Sequence, residues 1–260
     1  MNRPPLDPAL VSACAALVHK GDPDRFQAVM AAPPPMRAGL FALYAFNLEI
    51  ARAPWAAREP MLAQMRLQYW RDVIDGRLTP DHDVARALRW AIDTFGLDLG
   101  ALRATVDARE AEIGTTCPFD SSGALWVYLE GGAGNLLMLA VQAAGGPAHP
   151  GARQIGAAQG LARYLQAIPA LESAGRQPLP DGRPEALREL AREGLDRYRR
   201  ALSETRALPR APLLAAWQTR ALLRQVLHDP QCVAAGTLGV SEFRRRGSLM
   251  WASIRGLAGD

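Results

Sequence analysis

The chain has 260 residues, 49% hydrophobic and 22% charged, enough to bury a full core as one large domain or two small ones. Its net charge is +4 with Lys20 the only lysine, so the basic character is almost wholly arginine. The arginines are spread out, with Arg244-Arg245-Arg246 the only tight cluster, which argues against nucleic acid and leaves phosphates or membrane headgroups as suitable anions.

Helical periodicity dominates, and no alternating β-branched run is long enough for a sheet, so the chain is expected to be all-α. In chain order, helices are predicted over residues 8–20, 35–53, 59–75, 81–95, 99–113, 121–144, 152–172, 184–205, 212–228 and 241–257. Gly21 and Pro23 punctuate the end of the first. Pro33-Pro34-Pro35 cannot lie inside a helix, but Pro35 suits a first-turn position and opens the second. Gly76 and Pro80 close the third, and Gly145-Gly146-Pro147 the long central one, for which Asp120, Ser121 and Ser122 offer N-caps. The apolar stretch from Ala9 to Val18 follows Pro5, Asp7 and Pro8 and lacks a small-residue cleavage site, so it reads as an amphipathic helix and not a signal peptide. The most apolar region, 123–146, is interrupted by Glu130, Asn135, Gln142 and glycines, which fits a helix buried inside a bundle better than a transmembrane span.

Few residues are arranged for familiar chemistry. Cys14, Cys117 and Cys232 are isolated and form no CxxC, which points to a reducing, cytoplasmic compartment without a zinc site. His19, His82, His149 and His228 have no partner at catalytic spacing. Glu185, Glu189 and Glu193 recur at i,i+4, but with Arg197 following they read as a solvated helix face. The six tryptophans read as core or groove anchors.

Several short patterns occur together in one order: Asp22 to Arg25 (DPDR), Pro33 to Arg37 (PPPMR), Leu43 to Arg52 (LYAFNLEIAR), Arg66 to Asp72 (RLQYWRD), Ala108 to Ile113 followed by Phe119, Tyr128 to Gly134, and Gly160 to Pro180. Over most of the first 180 residues they resemble the squalene and phytoene synthases. The resemblance implies a single all-α bundle, spanning residues 1–260, around a central cavity. In that family two helices carry aspartates at i,i+4 spacing, which places carboxylates on one face where they can share Mg²⁺ and neutralise a departing diphosphate. Here the first stretch keeps only Glu49, and the second, with Gln166-Ala167-Ile168-Pro169, has no acid until Glu172. The wording YAFN-x-EIAR and RLQ-x-WRD resembles one branch most closely, the phytoene-synthase-like assembly factors of respiratory complex I and their alphaproteobacterial relatives.

By that resemblance, Arg37 and Tyr44 match positions at the diphosphate end of the synthase cavity. Arg176 matches the arginine of a Gly-Arg turn, here Gly175 to Pro180. Glu49 and Arg52 sit at the first acidic cluster, where an i,i+3 ion pair is an equal reading. Asn135 lies in the helix that approaches substrate, where Gly131, Gly132 and Gly134 equally permit tight packing. Arg37, Arg66 and Arg71 could retain an anion pocket or neutralise Glu49, Asp72 and Asp75. The expected function is a non-catalytic pseudoenzyme, with no catalytic residues and no cofactor, partnered with proteins of complex I assembly. The alternatives are a prenyltransferase that condenses isoprenoid diphosphates with Mg²⁺, or a carrier of a prenyl lipid. Residues 241–257 combine Phe243, Met250, Trp251 and Ile254 with arginines, and either lie on the inner membrane face as a peripheral amphipathic helix or dock on the bundle.

Overall fold

The computed structural model describes residues 5–55 and 59–257; the remainder of the predicted 1–260 domain lies outside the described residues. Among the described residues there is no strand, and the chain forms an all-α bundle. The helix α1 (Pro8–Gly21) is capped by Asp7, whose carboxylate accepts from Ala9 N at 2.9 Å. A second helix, α2 (Pro23–Met30), follows at once. It was not predicted, because Gly21 and Pro23 read as a stop. In fact Asp22 accepts from Arg25 N at 3.0 Å as an N-cap, and Pro23 takes the first helical position, where a missing N–H costs nothing.

A long, largely buried helix follows, α3 (Pro34–Arg52), which begins one residue before the expected Pro35. Its residues from Gly39 through Asn47 are all buried, as in a helix enclosed on every side. Around it pack α4 (Pro60–Asp75), ended by Gly76 at φ 70°, and α5 (Asp83–Phe95), ended by Gly96 at φ 62°. Next comes α6 (Leu99–Asp107), which tightens into a 3₁₀ turn over Ala108–Glu112.

The expected single helix over 121–144 is three pieces: α7 (Ser122–Leu129), a π-turn at Glu130–Gly134, and α8 (Asn135–Ala143). The combined stretch, Ser122–Ala143, is long and apolar enough to cross a membrane, but most of it is buried inside the bundle. Its π-turn coincides with the glycine-rich segment, and such turns gather at functional sites. The partner of this turn is α9 (Pro150–Ser173). A Cβ on Gly156 would lie 2.5 Å from the carbonyl oxygen of Ala133, and one on Gly160 would lie 2.6 Å from the Ala133 Cβ. Only glycine permits that approach. Pro169 lies within α9, which continues through it to Ser173.

Then follow α10 (Pro184–Glu204), α11 (Arg210–Leu213) with a 3₁₀ turn at Leu214–Ala216, α12 (Thr219–His228), α13 (Gln231–Ala234) and α14 (Glu242–Arg255). The predicted 212–228 helix is thus broken before Thr219. As expected, Glu193 and Arg197 pair, at 2.8 Å, and Arg197 also reaches Glu130 at 2.7 Å.

Among the described residues the buried side chains form two apolar cores. The larger joins α1, α3, α5, α6 and α8 with the first half of α9, and includes Leu43, Phe46, Leu88, Leu102 and Leu139. The smaller gathers α7, α12 and the second half of α9, with Leu125, Leu161, Leu165 and Leu223. Thus α9 belongs to both.

Candidate functional site

A cavity of about 310 Å³ opens between α3, the 3₁₀ turn after α6, the π-turn and α9. From α3 come Asn47 and Ala51, four residues apart and so on one face, with Trp55 just beyond the helix end. From α9 come Gly160, Arg163, Tyr164, Ala167 and Leu171, a spacing that likewise follows one helix face. The remaining wall includes Arg25, Arg109, Glu112, Tyr128, Arg176 and Pro178. Among the described residues four arginines and one carboxylate therefore line the cavity, and the rest of the lining is largely aromatic or small.

Glu112 is the hub of a buried network. Its Oε1 accepts from Arg109 Nη1 at 3.2 Å and from the Tyr128 hydroxyl at 2.5 Å, and its Oε2 accepts from Trp55 Nε1 at 3.3 Å. Arg109 further bonds the Tyr128 hydroxyl at 2.6 Å and Asn47 Oδ1 at 3.3 Å. Burial works against the Arg109 charge, but Tyr128 and Glu112 outweigh it and hold its pKa above the ordinary arginine value. Burial is also the main cause that pushes the Tyr128 and Tyr164 phenols upward.

Arg176 donates from Nη1 to the carbonyl oxygens of Glu112 at 2.8 Å and Thr115 at 3.1 Å, and its guanidinium lies 4.0 Å over the Trp55 ring. Tyr164 fixes the same turn through its hydroxyl, which donates to Pro178 O at 2.8 Å. On the opposite side, Arg25 and Arg163 are held by Asp22 at 3.1 and 3.4 Å, and Arg163 also by Asp24 at 2.5 Å. The Nε atoms of Arg25 and Arg109 are buried without a hydrogen-bond partner. The arrangement can hold an anion by direct arginine contacts beside an apolar wall.

The residues singled out from sequence are only partly brought together. Arg176 lines the cavity. Tyr44 lies one layer behind it, beneath Arg25 at 5.2 Å from ring centroid to guanidinium, and burial pushes its phenol up to about 12. Arg37 instead braces the corner between α2 and α3, donating to Ala32 O at 3.0 Å and Met30 O at 2.8 Å. Glu49 pairs with Arg52 at 3.4 Å on a part-exposed face, because the inward positions of α3 are Asn47 and Ala51. Asn135 is buried just past the π-turn, and Gln166 turns away, donating to Leu238 O at 3.1 Å. Arg71 pairs with Asp107 and Glu110, while Asp75 pairs with Arg77 and Arg103, so the ion pairs expected between helices have other partners. Missed as site residues were Arg25, Arg109, Glu112, Tyr128 and Arg163, although each lies in or beside a quoted motif; the i,i+3 spacing of Arg109 and Glu112 was the available signal.

The squalene/phytoene synthase model matches residues 18–245. The chain belongs to the squalene/phytoene synthase family. Its fold matches that of a dehydrosqualene synthase solved with ligand, with a TM-score of 0.77 at 14% identity over 95% of this chain and 96% of that one. It also matches squalene synthase HpnC from Alicyclobacillus acidocaldarius, at 0.67 and 18% over 89% and 96%. Among curated proteins it is similar to the "NADH dehydrogenase (ubiquinone) complex I, assembly factor 6 homolog" of Drosophila melanogaster, 35% identical over 64% of this chain and 52% of the relative. The Bos taurus assembly factor 6 is 30% identical over the same shares. The chain spans about half the length of these curated relatives.

Family membership raises the question of Mg²⁺. Among the described residues Glu112 is the only carboxylate in the cavity lining, and its oxygens are engaged by Arg109, Tyr128 and Trp55. The inward positions of α3 and α9 supply an amide, a glycine, alanines, a leucine, a tyrosine and an arginine, none a carboxylate. Among the described residues no three His, Cys, Asp or Glu side chains come together. This donor set does not fit a hard cation that asks for carboxylates.

Proposed function

We propose that this protein is a non-catalytic member of the family that acts in respiratory complex I assembly. The observation that carries the reading is its similarity to proteins named complex I assembly factor 6, in Drosophila melanogaster and Bos taurus among others. The cavity supports it: Joining prenyl diphosphates requires stabilisation of a departing diphosphate, and the helix faces that would hold metal for that purpose offer no carboxylate. Condensation of isoprenoid diphosphates is accordingly the less favoured activity. The three free cysteines support a reducing, cytoplasmic compartment.

A second reading concerns the cavity itself. Four arginines beside Trp55, Tyr128, Tyr164 and Leu171 suit an anionic head joined to an apolar chain, so a prenyl lipid could be held there without turnover.

Deletion of the coding sequence in the host tests the first reading. Membrane NADH:quinone oxidoreductase activity falls, and re-expression of the chain restores it. Full activity in the deletion strain contradicts assembly. Lipid that co-purifies with the folded protein, and is lost in Arg109→Met, supports the second.

A further inference from the structure

The outer face of α14 is apolar along its whole length. Phe243, Gly247, Met250 and Ile254 follow one another at spacings of four, three and four, which sets them in one stripe. Phe243 is 88% exposed, Met250 66% and Ile254 69%. Trp251 lies alongside, with the Arg255 guanidinium 4.5 Å over its ring. By helical position, Arg244 and Arg255 border the stripe on the Trp251 side and Arg246 borders it on the other, and all three are exposed.

The opposite face fixes the helix to the bundle. Leu249 and Ala252 are buried in the larger core, and Arg245 bonds Asp24 of α2 at 2.7 Å. The docked-helix reading therefore holds for one side of α14 and leaves the other facing outward.

We infer that this outer face is a docking surface for an anionic lipid bilayer. The stripe offers flexible and aromatic side chains to the acyl boundary, while arginines on both borders meet headgroup phosphates. With Arg245 committed to Asp24, the outward side keeps Arg244, Arg246 and Arg255 against Glu242, which pairs with Arg246 at 2.7 Å. That side therefore remains net basic, which favours an anionic bilayer over a neutral partner surface. Asp24, which holds Arg245, also holds Arg163 of the cavity at 2.5 Å, so the docked face connects through one carboxylate to the cavity wall. The inference stands whatever the cavity binds.

Co-sedimentation of the full chain with vesicles of phosphatidylcholine, with and without phosphatidylglycerol, tests it. The chain binds vesicles that contain phosphatidylglycerol and loses binding as salt rises. The pair Phe243→Ser and Ile254→Ser lowers the bound fraction at least fivefold, and Arg244→Gln weakens affinity about fivefold. These side chains are exposed, so melting temperature stays within a few degrees of wild type. Equal binding to neutral vesicles, no binding, or variants that bind like wild type would each overturn the inference. So would a dimer in solution that Phe243→Ser and Ile254→Ser convert to monomer, which would make a second copy the occupant.

Discussion

The two ends of α3 face different surroundings. From Gly39 to Phe46 the helix is embedded in apolar neighbours, apart from Tyr44 beneath Arg25, and its aliphatic and Phe side chains are interchangeable in chemistry if not in shape. From Asn47 to Trp55 the same chain borders a charged wall, where Asn47 and Trp55 each bond one member of the Arg109–Glu112 pair. In the first region stability comes from area removed from water. In the second it comes from matched charges that each need the other.

Substitutions sharpen that contrast. Phe46→Ala, in the fully buried first region, costs about 3–5 kcal/mol in chemical denaturation. Glu112→Gln costs about 3 kcal/mol, since it strands a buried arginine; the double variant Arg109→Met and Glu112→Leu recovers most of the loss. If the double variant is as unstable as the single one, the second region is held by packing and the contrast fails.

Alkaline pH probes the border between the regions. The Tyr44 phenol is raised by burial to about 12 from the ordinary 10, so folding favours its neutral form. Stability is complete below about pH 10, where the unfolded chain also keeps the proton, and is lost as pH rises from 10 towards 12. The loss is about 1.4 kcal/mol per pH unit for this group. The difference in absorbance at 295 nm between wild type and Tyr44→Phe should show Tyr44 still protonated in the folded protein at pH 10; its ionisation there in the folded state would contradict its burial. A smaller effect, about 2 kcal/mol, is expected for Gly156→Ala, whose Cβ would press on the Ala133 carbonyl. A neutral result there would mean that the π-turn shifts to accept a methyl group.

Much of the bundle was legible because helical periodicity records burial. The α3 and α10 helices begin within a residue of their expected starts, and glycine stops at Gly76 and Gly145 hold. What periodicity could not show was the interruption at Glu130–Gly134, because a π-turn keeps the apolar pattern while adding a residue to the turn. The short α2 was hidden for a different reason: Asp22-Pro23 has the same composition whether it ends one helix or starts the next.

The site was less legible than the fold. Arg176 was found through its Gly-Arg turn, but Glu49 drew attention as the only acid on its stretch although the inward face of α3 is set by Asn47 and Ala51. Facing direction depends on which neighbour a helix packs against. Likewise Arg25, Arg109 and Arg163 come to one cavity across 138 residues of sequence; Asp22–Arg25 and Arg109–Glu112 are i,i+3 neighbours, but no local pattern joins those pairs to each other or to Arg163.

The most direct measurement follows diphosphate release from farnesyl and geranylgeranyl diphosphate, with and without Mg²⁺ and NADPH, by the purified, folded protein. The account predicts no release above the protein-free control and no condensed lipid in mass spectra. Metal-dependent release with a C30 or C40 product would contradict it.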